Sequence, residues 1–483
     1  MEQGRLCLPF NPAVKRHGGC TVSKFVAVDI GSSFVKAALF DVENPTVLEH
    51  IKEAAPSKLP NDNPNKFEVK ANLYVEIVTK ILKDLSAKYN DLQGLILSTQ
   101  MHGFVYEKQI DDDPLYISWQ DQRCIDLMPG CKLSFLDYLK SIISPEKMAS
   151  CGVYLKPSMG FCNLFAMLKA DPSIKKDGKL YTLGSYISYK LTGNNVCHRQ
   201  NAAPLGLVNI AENKWNYELL DLAGIPEIEL PTLAKSDSEL VGHFKINDCD
   251  ISVYPDFGDQ QISVLGSNLQ DNEALINIAT ACQVICKTDS IDKGLFETRP
   301  YFAGSYIKTI SNMPGGRGLD VIINFIKDTV EKVTGKSVKA VEIWNAVHGA
   351  YHKDSHELTV DPRFYATYDH MTGGAISHIN SSNLRISNIF ASLFDEMAKT
   401  YWQTIQTLID KEKLTKIICA GGVSWRLPEL LEKIREKASK PCSLSPMEDE
   451  ALIGLFLISL YCHDPSKSLT DYSAAIAKFI AKR

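Results

Sequence analysis

Apolar residues in this chain gather into short runs that stop on small or polar residues. Phe25-Val26-Ala27-Val28-Asp29-Ile30 breaks at Gly31-Ser32-Ser33 and resumes as Phe34-Val35-Lys36-Ala37-Ala38-Leu39-Phe40. The pattern predicts two strands joined by a tight small-residue turn. Between Leu73 and Tyr89 the spacing changes, with apolar residues at Leu73, Ile77, Val78, Ile81, Leu82 and Leu85, which predicts an amphipathic helix. A further strand, Leu92 to Ser98, leads into Thr99-Gln100-Met101-His102-Gly103. Polar groups at the carboxyl edge of a sheet stand where open α/β folds place ligands.

A related pattern returns in the second half. Leu275 to Ile285 lays over the first hairpin with Asn277 on Asp29, Ala279 on Gly31 and Thr280 on Ser32. Such a match is common by chance; the elements that follow give it weight. They are a helix from Leu319 to Val333, a long amphipathic helix from Leu384 to Ile409, a strand from Lys416 to Cys419 running into Gly421-Gly422, and a helix resuming near Leu427. Two α/β domains are expected, 24–265 and 266–483, behind a flexible extension over 1–23.

At 483 residues, 45% apolar and 23% charged, the composition is that of a globular protein with more than one core. A formal charge of -5 and the lack of a basic stripe interleaved with aromatics argue against nucleic acid as a partner. No apolar run approaches the ~20 residues that span a bilayer, so no membrane association is expected. The thirteen cysteines lack the paired short spacings of a zinc site and read as reduced thiols of a cytoplasmic protein. Cys282 and Cys286 flank Val284 and Ile285 and are expected on a strand.

The candidate chemistry sits in turns. Asp29-Ile30-Gly31-Ser32-Ser33 offers backbone N–H groups, hydroxyls and a carboxylate suited to phosphate and magnesium, although a plain hairpin turn has the same residues. Phe257-Gly258-Asp259-Gln260-Gln261 places an acid before a helix-like stretch, where it is either a cap or a base. Gly421-Gly422 and Pro314-Gly315-Gly316-Arg317-Gly318 each precede a helix, so bare backbone there is open to a nucleotide or is simple topology. Trp119-Gln120-Asp121-Gln122-Arg123 joins an aromatic face to an acid and a guanidinium, either for stacking on a sugar or as a surface ion pair beside a core tryptophan. His102 reads by default as a structural histidine. His348, His352 and His356, four apart, would line one helical face, with no acid or cysteine to complete a metal site.

In this order the pieces resemble the FGGY family of carbohydrate kinases, from about Phe25 to past Gly454. The most specific elements are Asp29-Ile30-Gly31, Gln100-Met101-His102-Gly103, Trp119 to Arg123 and Gly258-Asp259-Gln260-Gln261; Trp215 to Leu220, Gly421-Gly422 and Glu450 to Gly454 add to them. The resemblance implies an α/β, two-domain fold of the sugar kinase, Hsp70 and actin type (ribonuclease H-like), with the active site in the interdomain cleft. It implies transfer of phosphate from ATP, with Mg2+, to a small-molecule sugar. Asp259 is the implied catalytic base; Met101, His102, Trp119, Asp121, Arg123, Asp259 and Gln260 are the implied sugar residues. Gly31, Ser32, Ser33, Thr280, Gly315, Gly316, Gly421 and Gly422 are implied for ATP, and Asp29 and Asp259 for the metal.

The Gln100-Met101-His102 form resembles the family's ketose kinases rather than its glycerol kinases. Met159-Gly160-Phe161-Cys162, Gln200-Asn201-Ala202-Ala203 and Ile379 to Leu384 point within them to a ketose acceptor, sedoheptulose first and xylulose or another polyol second. A nucleotide-binding regulator of the same fold without a sugar acceptor is the other class. Ala279, Ala281, Arg199 and Arg426 depart from the family pattern, as does the absence of a lysine near Phe161 to Phe165.

Overall fold

The computed structural model describes residues 23–108, 113–171, 173–174, 178–225, 228–292, 294–365 and 373–474. The expected N-terminal extension, apart from Ser23, lies outside the described residues. The chain divides into two compact units. The first takes the chain up to Gly266 together with Arg299–Ser305 and the residues from Ala451; the second takes Ser267–Thr298 and Tyr306–Glu450. The division falls beside the expected one, but the second unit is not the continuous stretch 266–483.

The first unit is built on a six-stranded sheet. Its strands are β1 (Lys24–Ile30), β2 (Phe34–Asp41), β3 (Thr46–Ala54), β4 (Leu92–Thr99), β5 (Gly242–Ile246) and β6 (Cys249–Gly258), with α1 (Ala71–Ser86), α2 (Gly160–Ala170) and α3 (Leu183–Thr192) between them and α4 (Asp259–Gly266) after β6. The order is β3-β2-β1-β4-β6-β5. Alternation decides which face is core. Val26, Val28 and Ile30 point to one side and bury against Val78, Ile81, Leu82 and Leu85 of α1; each such aliphatic side chain contributes about 1.5–3 kcal/mol on leaving water. β1, β4 and β6 run parallel, with Ile30 and Gly258 both in register with Thr99. Three strand ends therefore open side by side, and the next residues are Gly31, Gln100 and Asp259.

The second unit carries its own six-stranded sheet, ordered β9-β10-β8-β7-β11-β12. Its elements are β7 (Glu273–Ile278), β8 (Cys282–Thr288), β9 (Glu297–Pro300), β10 (Tyr306–Met313), α5 (Gly316–Thr334), α6 (Ala340–Ala350), α7 (Ile386–Leu408), β11 (Lys416–Ala420), α8 (Gly422–Arg426), α9 (Pro428–Ala438) and β12 (Cys442–Leu444), and α10 (Glu450–His463) follows. β7 pairs antiparallel with β8 and parallel with β11, as β1 does with β2 and β4. Ile276, Ile278, Val284 and Cys419 bury against Phe390, Phe394, Met397 and Tyr401 of α7.

Cys282 and Cys286 are buried on β8, and all eleven cysteines among the described residues are free thiols. The three spaced histidines do not share a helical face. α6 ends at Ala350, so only His348 is helical, and its Nδ1 lies 2.7 Å from Glu429 Oε1. No helix among the described residues is long and apolar enough to cross a membrane.

Candidate active site

The strand ends of the first unit carry the acids. Asp29 is the penultimate residue of β1, in register with Lys36 on β2 and Ser98 on β4, and the Ser98 hydroxyl donates to its Oδ1 at 3.0 Å. The turn then closes through Gly31 N–H to Phe34 O at 3.0 Å, leaving the Ser32 and Ser33 side chains exposed. Across β4, the chain leaves β6 at Gly258 and enters α4 at Asp259. A Cβ on Gly258 would lie 2.3 Å from Gln261 Oε1 and 2.9 Å from Met101 Sδ, so only glycine lets the turn that carries Asp259 approach Met101.

Asp259 is half-buried, and its carboxyl is pushed up to about 7, first by burial and then by the negative charge of Asp29, against the pull of Arg299. A carboxyl whose proton affinity is raised by a second carboxylate forms a site that favours a proton or a cation. Magnesium fits this donor set, because it takes one or two carboxylates with water and phosphate oxygens.

The remaining sugar-side candidates divide. Met101 is buried, and His102 sits in the left-handed region at φ 67° with its Nδ1 3.0 Å from Pro204 O. Gln260, buried, presents its Oε1 to Arg299 Nη1 at 2.7 Å. Trp119 is 40% exposed, so its ring is not in the core. Asp121 and Arg123 are not a surface pair either. Asp121 is fully buried and accepts from Arg123 Nε at 2.8 Å, Arg123 Nη2 at 2.7 Å and Phe67 N at 2.7 Å. Arg123 also donates to Glu68 at 2.6 Å. Both groups are spent on shaping the segment that carries Trp119.

Several residues with no motif to mark them stand in the same neighbourhood. Tyr116 is buried, its phenol pushed well up by burial first and then by Tyr74 and Asp259. Asp256, three residues before Asp259, is fully buried and accepts from Thr182 Oγ1 at 2.7 Å, Asn201 Nδ2 at 2.8 Å and His198 N at 3.0 Å. Asn201 Nδ2 also donates to Thr99 Oγ1 at 3.0 Å and Phe257 O at 2.9 Å, bracing β4 and β6 beside the acid. Arg299 arrives from the excursion Arg299–Ser305, and nothing local in the sequence singled it out.

In the second unit, Ala279, Thr280, Gly316, Arg317, Trp344, Asn345, Gly422 and Arg426 are among the residues lining a cavity of about 760 Å³. The β7–β8 turn is fastened to the start of α5 by Gly316 N–H to Ala279 O at 2.9 Å and Arg317 N–H to Thr280 O at 3.0 Å. Gly315 could not be larger, because its Cβ would lie 2.7 Å from the carbonyl carbon of Ala281. Gly421 adopts φ 82°, its N–H donates to Glu450 Oε1 at 3.2 Å, and a Cβ would come within 2.5 Å of Asn277 Oδ1. Thr280, Gly316 and Gly422 thus share one cavity, framed by Gly315 and Gly421. Its wall of glycine backbone, aromatic ring and guanidinium groups suits a nucleotide. Gly454 belongs elsewhere: a Cβ there would lie 2.0 Å from Ile262 O, so it packs α10 onto α4.

The family described as FGGY family of carbohydrate kinases, N-terminal domain, matches residues 24–266. The chain is 23% identical to the sedoheptulokinase of Mus musculus over 486 residues, 90% of this chain and 97% of the relative. It is 23% identical to that of Homo sapiens, covering 91% and 97%. Among solved structures, xylulose kinase from Rhodospirillum rubrum superposes with a TM-score of 0.79 at 16% identity over 93% of this chain and 92% of that one. Plasmodium falciparum glycerol kinase with ADP gives 0.77 at 14% identity over 94% and 92%. With the family matched over residues 24–266, half of the chain, the chain belongs to the FGGY family of carbohydrate kinases.

Proposed function

We propose that this kinase transfers the γ-phosphoryl group of ATP to a terminal hydroxyl of a ketose, sedoheptulose in the first place, giving sedoheptulose 7-phosphate and ADP. The observation that carries the reading is Asp259 at the mouth of α4, its proton affinity near neutrality and Asp29 beside it. Similarity to sedoheptulokinases over nearly the full length of both chains supports the choice of sugar.

In this mechanism Asp259 accepts the proton of the attacking hydroxyl as the oxygen–phosphorus bond forms, and the bond to the ADP oxygen breaks. Phosphoryl transfer asks the protein mainly for alignment and electrostatics. In the first unit, Gly31 N–H is engaged in its turn, so the exposed Ser32 and Ser33 offer the phosphate donors. In the second unit, the cavity at Thr280, Gly316 and Gly422 takes the nucleoside, with Gly315 and Gly421 keeping its walls close. Asp29 and Asp259 are the residues that would hold magnesium, which would supply neutralisation of charge on the phosphates. On the acceptor side, Met101, His102 and Gln260 border the base, and the exposed face of Trp119 stacks on the sugar. Asp121 and Arg123 act through that segment rather than by touching the sugar.

A second reading, xylulose as acceptor, draws on the structural likeness to xylulose kinases. The test is ADP release with sedoheptulose, xylulose and glycerol at matched concentrations. We expect kcat/KM for sedoheptulose to exceed that for xylulose by at least about tenfold, within the range that added pocket contacts give. Preference for xylulose overturns the assignment in favour of the second reading. ATP hydrolysis that no sugar stimulates overturns the acceptor altogether and leaves a nucleotide-binding regulator.

A further inference from the structure

Arg299 is an unusual residue to find beside a general base. Its side chain is almost wholly buried, and it leaves the chain at the start of a seven-residue excursion, Arg299–Ser305, that joins the first unit while the residues on either side belong to the second. The excursion is fastened at three of its residues. Gln261 Nε2 donates to Pro300 O at 3.1 Å, Arg199 Nη2 to Tyr301 O at 2.8 Å, and Ala303 N–H to Asp237 Oδ2 at 2.8 Å. Asp237 is itself held by His198 Nε2 at 3.0 Å. Ala303 and Gly304 both take positive φ, 52° and 81°. A left-handed alanine is strained and persists only where its surroundings over-determine it.

What this holds in place is a guanidinium fork. Arg299 Nη1 donates to Gln260 Oε1 at 2.7 Å, and Nη2 lies 3.1 Å from His102 Nε2. Since a guanidinium only donates, His102 Nε2 must accept. The proton of the neutral ring is then on Nδ1, which donates to Pro204 O at 3.0 Å. The same fork fixes the orientation of the Gln260 amide, oxygen toward Arg299. One buried cation therefore decides the tautomer of His102 and the direction of the Gln260 amide, two polar side chains of the acceptor site proposed above.

We propose that Arg299 is the positioning residue of the sugar site: it presets the donor and acceptor pattern of His102 and Gln260 that a polyhydroxylated acceptor meets, so that affinity for the ketose depends on the 299–305 excursion as much as on the motif residues. The inference rests on the kinase reading above. Lysine cannot substitute fully, because one ammonium lacks the planar fork that serves both partners.

The test uses the full chain with Arg299→Lys and Arg299→Met, with sedoheptulose and xylulose as probes. For Arg299→Met the KM for sugar is expected to rise about tenfold or more while kcat changes less than about threefold and the KM for ATP is unchanged, the signature of lost uniform binding. Arg299→Lys should fall between. Imidazole 15N signals, assigned through His102→Asn, should show protonated Nδ1 and bare Nε2 in the wild type and mixed tautomers in Arg299→Met. An unchanged sugar KM, or an unchanged His102 signal, overturns the proposal. So does an equal loss in the sugar and ATP terms accompanied by a lower Tm, which would make Arg299 a packing residue. Failure of the kinase reading looks different: the wild type itself would form no ADP in response to sugar.

Discussion

Asp29 and Asn277 occupy the same place in two sheets of the same design. Each is the penultimate residue of a strand that pairs antiparallel with its successor and parallel with a strand from far along the chain. One is a carboxylate bonded to Ser98, with a second carboxylate, Asp259, raising the stakes nearby. The other is an amide whose oxygen stands where a side chain on Gly421 would have to go. The same scaffold thus serves charge in one unit and bare backbone in the other. In the first, a buried polar network holds the carboxylates proposed for the chemistry; in the second, glycine and main-chain hydrogen bonds shape a cavity.

The largest effect should come from the acid half alone. Asp259→Ala is expected to lower kcat with the ketose by about 10³-fold, inside the 10²–10⁴ range for a general base. Nucleotide affinity, measured by titration calorimetry, should stay within about twofold, since the cavity of the second unit is built from other residues. Loss of ATP binding in a folded variant would place Asp259 chiefly in metal binding and blur the division of labour.

The network behind the base gives the next effect, and its sign follows from burial. Burial pushes Asp256 up from 3.8 to about 6, even though Thr182, the His198 N–H, Asn201 and the His198 charge all favour its ionised form. Its neighbour Cys197 is pushed up by burial and by Asp256. A carboxyl raised in the folded state contributes stability that is fully present below about pH 4 and lost as pH rises through 6, about 3 kcal/mol in all. Urea unfolding of the wild type and Asp256→Asn from pH 4 to 7 should therefore show a difference that shrinks or inverts by that amount across the window. A difference independent of pH would mean that Asp256 stays ionised throughout.

On the backbone side, Gly421→Ala forces a side chain into φ 82° and against Asn277 and Ile278. With ψ at 153°, that backbone conformation is essentially confined to glycine, and forcing another residue into it costs about 1–3 kcal/mol. We expect a lower Tm and a KM for ATP raised by about tenfold, the equivalent of 1.4 kcal/mol, with the KM for sugar unchanged. A sugar defect of equal size would show that the two halves are not separable in this way.

Much of this contrast was legible in the sequence, because it is written in local patterns. The first hairpin, α1 and α7 follow from period and turn residues, and the match of Asn277 to Asp29 survives as a match of sheet register. Asp259 stands first in its helix, so the choice between cap and base was open to local reading but not decidable by it. What stayed hidden depends on distance along the chain. Arg299 reaches residues 39 and 197 positions away, and the return of Arg299–Ser305 to the first unit leaves no trace in periodicity. By sequence alone Asp121 and Arg123 fit a sugar site or a surface ion pair; burial by α2, whose Asn163 donates to Asp121 O at 2.8 Å, makes them an internal brace. The histidine series misled because four-residue spacing continues past Ala350, where the helix does not.

Arg426 offers the finest test of the comparison. It lines the cavity, so a charged clamp on the nucleotide is the obvious role. Yet its Nε donates to Gly422 O at 2.9 Å, one turn back on the short helix α8, and the side chain is exposed. An exposed guanidinium tied to its own backbone meets a phosphate through water and salt, and such pairs contribute about 0–1 kcal/mol. Arg426→Asn should therefore raise the KM for ATP by less than about fivefold, fading further as ionic strength rises. A loss of about a hundredfold, insensitive to salt, would instead mean a desolvated ion pair on the nucleotide. The second unit would then rely on charge as the first does, and glycine backbone would be only its frame.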